Sequence, residues 1–134
     1  MTRPFWLLAA AIAAASLGGC FTGPSAQRFQ PAVTPHGAQV KLAIGNSTLV
    51  GELVEVRDSA FVISSSDSIW VVDFAFIRRA RFPAFSVAYG GGVPTREAGD
   101  RLRMVSRFPA GMPAGVMERL LAASGQAAPR TVRP

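Results

Sequence analysis

At Gln39 the apolar residues begin to recur at every second position, and short apolar segments parted by turn signals continue as far as Phe82; no other feature restricts this chain's fold as strongly. A period of two places alternate side chains on opposite faces of an extended backbone, so the segment reads as half-buried β-strands. Val40, Leu42 and Ile44 alternate with Gln39, Lys41 and Ala43. The turn signal Gly45-Asn46-Ser47 follows, and then a second strand from Thr48 to Val56. Strict alternation there puts Val50, Val54 and Val56 on one face and Leu49 and Leu53 on the other. Gly51 inside that strand predicts a bend or bulge where two backbones approach closely. After a turn at Arg57-Asp58-Ser59, a third strand covers Ala60 to Ser64 and a polar hairpin loop covers Ser65 to Ser68. A fourth strand covers Ile69 to Phe74, and a fifth, short one covers Ile77 to Phe82.

The period changes after residue 94. The stretch 84–94 contains Gly90-Gly91-Gly92 and reads as a Gly-rich connector. Thr95 is placed to cap a helix, on which Ala98, Leu102 and Val105 share a face at about 100° per residue. Arg96–Asp100 and Glu97–Arg101 have the four-residue spacing of helix ion pairs. Breaks at Phe108-Pro109 and Gly111-Met112-Pro113 precede a second helix, from about Pro113 to Ser124, with Gly125 as its C-terminal cap. Neither helix is long enough to be stable alone. The expected fold is therefore mainly β with α: a small five-stranded, bent antiparallel sheet or partly open barrel, plus a C-terminal helical hairpin covering it. The expected boundaries are 37–83 for the β domain, 95–125 for the hairpin and 126–134 for a disordered tail.

The run from Gly37 to Phe82 resembles the Sm-like small β-barrels. Val40, Leu42, Gly45, Gly51-Glu52-Leu53, Asp58 and Ile77 carry the resemblance. It implies a barrel with a Gly-x-Leu in its bent second strand. The spacing from Gly51 to Asp58 is longer than in that family, and the family's second, RNA-contacting motif has no counterpart, so no binding residue carries over.

The N-terminus has another character. Met1 to Pro4 carries one positive charge, and the stretch from Phe5 to about Leu17 is nearly all apolar. Gly18, Gly19 and Cys20 follow, and Cys20 is the only cysteine. These are the parts of a secretory signal. The tract Leu17-Gly18-Gly19-Cys20 resembles the lipobox of bacterial lipoproteins. The resemblance implies a signal peptide over 1–19, cleavage between Gly19 and Cys20, and diacylglycerol on the Cys20 sulfur. Two or three acyl chains, at about 0.8 kcal/mol per buried methylene, would make a stable anchor. Phe21, in place of an Asp after the Cys, resembles the outer-membrane sorting class. A plain secretory signal, a retained transmembrane helix and a buried apolar helix are the competing readings. The apolar run is shorter than the roughly 20 residues that a span requires. Residues 20–36, with Pro24, Pro31 and Pro35, read as a flexible tether.

The net charge is +6, and Lys41 is the only lysine among the basic residues. A basic balance favours anionic partners. At an envelope location these are lipid headgroups, anionic polymers or an envelope protein rather than nucleic acid. Arg78, Arg79 and Arg81 of the fifth strand, with Arg96, Arg103 and Arg107 of the first helix, are the candidate anion-binding residues; scattered, solvated arginines are the bland alternative. Phe85 and Tyr89, in the connector, are candidate partner contacts. No catalytic constellation stands out. His36, the only histidine, sits among Pro35 and Gly37, and the serines around Asp67 read as a turn. Asp58, Asp67 and Asp73 have no context that marks a carboxylate pair. One His and one committed Cys argue against a metal site, and no cofactor motif is present. The expectation is a lipid-anchored, periplasm-facing envelope protein of the cell membrane or outer membrane, acting as a non-enzymatic interaction or structural module. An Sm-like nucleic-acid binder with a misread N-terminus and a small envelope hydrolase are the alternatives.

Overall fold

The computed structural model describes residues 36–85 and 87–132. The signal stretch, the Gly19–Cys20 junction and the tether as far as Pro35 lie outside the described residues.

Seven strands form one open, mixed sheet. They are β1 (Gln39–Ile44), β2 (Ser47–Val56), β3 (Ala60–Ser65), β4 (Ser68–Asp73), β5 (Ile77–Phe82), β6 (Val87–Tyr89) and β7 (Arg130–Val132), in the spatial order β6-β5-β1-β2-β3-β4-β7. Among the described residues, two α-helices, α1 (Arg96–Val105) and α2 (Val116–Ala123), accompany the sheet. The strands expected from the period of two all form. Two-residue hairpin loops join β1 to β2 and β3 to β4, and Gly45, Ser66 and Asp67 there take positive φ, as tight hairpin turns demand.

The alternation of side chains builds two cores, one on each face of the sheet. The larger gathers Val40, Leu42, Leu53, Phe61, Ile63, Val72, Ala80 and Phe82, together with Leu102 and Val105 of α1. Phe61 and Phe74 meet there edge to face, with ring centroids 4.8 Å apart. The smaller core gathers Val54, Val62 and Ile69 with Leu121 of α2, and Phe108, Met112, Met117 and Leu120 pack around it.

The structure corrects the expected architecture in four places. The helices do not cover the sheet together as a hairpin: α1 belongs to one face and α2 to the other. The breaks at Pro109 and Pro113 are the passage between faces, which leaves each helix an apolar surface of its own. Within β2, the register against β3 shifts between Leu53 and Glu55. This bulge turns Val56 to the face of Leu53, whereas strict alternation put it with Val54. The stretch 84–94 is not wholly a connector, because Val87–Tyr89 pairs with β5 and Tyr89 is fully buried. The tail is not disordered over its described part: Arg130–Val132 pairs in parallel with Trp70–Val72 of β4. Three-residue strands carry too little local pattern to read from sequence, since their stability comes from a distant partner.

Gly51 performs the role its position suggested. A Cβ there would lie 2.8 Å from Ile63 Cγ2 and closer still to the Ser64 carbonyl oxygen. Thr95 caps α1, its Oγ1 accepting from the Ala98 N–H at 3.2 Å. At the end of α2, the Gln126 N–H donates to the Leu121 carbonyl and the Gly125 N–H to that of Ala122. With Gly125 at φ +66°, this is the left-handed cap that glycine permits.

Candidate functional site

The six candidate arginines divide among three environments. Arg107 is the most deeply placed. Its Nε donates to Glu52 Oε1 at 2.7 Å, its Nη2 donates to Glu52 Oε2, and the Gly37 N–H also donates to Glu52 Oε1 at 2.6 Å. The Arg107 and Phe108 N–H groups donate to the Leu53 and Val54 carbonyls beside the β2 bulge. The fork matches the carboxylate in two parallel bonds. The hydrogen bond to Glu52 pushes the guanidinium pKa further up, against the opposing effect of burial. This clamp holds the chain where it passes from α1 to the other face. It is a structural tie and offers no open coordination to an anion.

Arg103 and Arg96 border a groove of about 230 Å³ between the N-terminal part of α1 and the turn after β2, lined also by Arg57, Asp58, Phe74 and Thr95. Arg103 is bonded to Asp100 at 3.0 Å and to Asp58 at 3.4 Å. Of the two expected helix pairs, Glu97–Arg101 forms at 3.0 Å, whereas Asp100 takes Arg103 rather than Arg96. The groove is smaller than the usual small-molecule pocket. It contains one carboxylate and neither a second acid nor an imidazole.

Arg79 and Arg81 belong to a different surface. Ala80 and Phe82 of β5 enter the larger core, so Arg79 and Arg81 project from the opposite face, while the bulge before Arg79 lets Ile77 enter the core as well. The register places Arg81 opposite Lys41 of β1, and Arg79 opposite Ala43. Lys41 is in turn opposite Val50, a valine that is 54% exposed. Arg78, at the bulged end of the pair, donates to the Gly45 carbonyl at 3.0 Å. Thus the six arginines do not converge into one face. Two are committed to carboxylates, and Arg79 and Arg81 of β5 gather with Lys41, which sequence reasoning missed. Only the strand register brings Lys41 and Arg81 together.

The other candidates fall outside any reactive grouping. Asp67 occupies the β3–β4 turn, and Asp73 accepts from the Ala75 N–H at 2.8 Å to cap a single 3-10 turn. Ser65 donates from its hydroxyl to the Val50 carbonyl. His36 is exposed at the start of the described chain. Phe85 packs against the larger core, and the Tyr89 hydroxyl donates to the Gly92 carbonyl at 2.6 Å, so neither aromatic is the open partner contact expected of it. Among the described residues no three His, Cys, Asp or Glu side chains cluster as metal ligands, and no helix is long and apolar enough to cross a membrane. No protein-family model, curated protein or solved structure matches the chain.

Proposed function

We propose that this protein is a lipid-anchored envelope protein whose folded domain acts as a non-enzymatic interaction or structural module. The tract Leu17-Gly18-Gly19-Cys20 behind an apolar stretch carries this reading. In it, residues 1–19 are removed, Cys20 bears the acyl chains, and residues 20–36 tether the domain to a membrane. The domain itself we read as a small bent barrel-like sheet. The antiparallel order β5-β1-β2-β3-β4, with a 3-10 turn at Phe74–Phe76 between β4 and β5, supports that reading.

Mass spectrometry of the protein from its own cells tests the anchor. The expected N-terminal peptide begins at Cys20 and carries the mass of two or three acyl chains. The Cys20→Ala variant is expected to retain residues 1–19 and gain no acyl mass. An unlipidated cytosolic protein with residues 1–19 intact would overturn the proposal and favour the alternative of an Sm-like nucleic-acid binder.

A further inference from the structure

Among the described residues, the face of the sheet opposite the larger core is covered over only part of its width. Over β2, β3 and β4, α2 and the segment around Phe108 and Met112 pack onto Val54, Val62 and Ile69. Over β1 and β5, the same face presents Lys41, Arg79 and Arg81, all exposed, around exposed Val50. Lys41 and Arg81 stand directly opposite each other across the strand pair. Like charges in that position destabilise a sheet unless something neutralises them. No ion pair reaches any of the three among the described residues.

The rest of the chain has no acidic side chain to offer. All eight Asp and Glu residues of the sequence lie within the described part, from Glu52 to Glu118. The whole stretch before Glu52, including residues 1–35, contains no acid. No Asp or Glu side chain outside the described residues is therefore available to neutralise this face.

We propose that this uncovered face, with Lys41, Arg79 and Arg81 set around Val50, docks against the acidic phospholipid headgroups of the bilayer that carries the Cys20 anchor. The proposal rests on the lipid-anchor reading, because the anchor supplies the proximity. Sixteen peptide units join Cys20 to His36 and span at most about 55 Å, so the strands that follow stay within reach of the bilayer surface. An exposed, basic strand pair suits a surface of phosphates, and Val50 supplies an apolar contact at the headgroup boundary.

The experiment uses the full mature chain, residues 20–134, with Cys20→Ser so that no acyl chain contributes. Co-sedimentation with phosphatidylglycerol-containing vesicles is compared with phosphatidylcholine vesicles at low and high salt. The expected result is a strong preference for the anionic vesicles, abolished at high salt. Replacing Lys41, Arg79 and Arg81 by Gln is expected to weaken binding about fivefold per cation, roughly a hundredfold together. Replacing Arg96, Arg101 and Arg119 by Gln removes the same net charge from the helices and is expected to have a much smaller effect.

A second readout needs no variant. Lys41 is the only lysine, so its acylation by a neutral amine reagent, read at its own peptide by mass spectrometry and so apart from the α-amino group, reports on this face, and it should slow several-fold on anionic vesicles but not on zwitterionic ones. Equal binding to both vesicles would overturn the proposal, as would an equal loss in the helix variant, or capture by an RNA homopolymer in preference to vesicles. Failure of the anchor reading shows separately, as an unacylated Cys20 in protein taken from cells.

Discussion

At the scale of single residues, the tightest polar construction in the described fold is the Glu52–Arg107 fork. Glu52 is 9% exposed and accepts from both Arg107 and the Gly37 N–H. Removing the guanidinium would leave a nearly buried carboxylate without its counter-charge. Arg107→Met is accordingly expected to cost about 3–5 kcal/mol, whereas Glu52→Leu combined with Arg107→Met costs less than the two single changes together. Chemical denaturation of the four proteins of that double-mutant cycle checks this. Tyr89 gives a second, pH-dependent test. Burial raises its phenol pKa, and its hydroxyl donates to the Gly92 carbonyl. In the unfolded chain the phenol ionises near its ordinary pKa of about 10. The stability it contributes is therefore complete below that pH and is lost as pH rises through the higher folded-state pKa. Tyr89 is the only tyrosine, so its phenolate absorbance follows this titration directly. Tyr89→Phe is expected to lose about 1 kcal/mol at neutral pH and to flatten the alkaline decline.

At the scale of elements, the edge strands depend on contacts far away in sequence. The Gln126 side chain behaves like one more peptide unit beside β4: its Oε1 accepts from the Ile69 N–H at 2.6 Å and its Nε2 donates to the Ile69 carbonyl at 3.2 Å. The Arg130 guanidinium then lies 5.4 Å from the centre of the Trp70 ring, and Val132 packs onto the larger core. Gln126→Ala leaves both backbone groups of Ile69 without these partners. The expected loss is about 1–3 kcal/mol in urea unfolding, with faster hydrogen exchange along β4 and little change in β1. The helices illustrate the opposite case. Thr95, Gly125 and the spacing of Ala98, Leu102 and Val105 act within a few residues, and all were legible in sequence. The bulge in β2 was not, because its shift between Leu53 and Glu55 is defined against β3. It nonetheless decides that Val56 enters the larger core.

For the whole molecule, two unequal cores on the faces of one sheet leave part of one face without cover, and charge is segregated onto it. The proposed salt-sensitive attachment to an anionic bilayer belongs to this scale, since it depends on which half of the sheet α2 leaves open. The sequence by itself determined the period-two strands from Gln39 to Phe82, the helix caps, the close approach at Gly51 and the N-terminal tract ending at Cys20, because each depends on neighbours in the chain or on a local motif. Tertiary structure alone decided that the helices take opposite faces, that the Gly-rich connector and the tail each contribute a strand, and that Lys41 stands beside the β5 arginines while Arg103 and Arg107 are tied to carboxylates. Those outcomes follow from strand register and packing between distant residues, in places 60 or more positions apart, such as Trp70 and Arg130, and no local pattern encodes them.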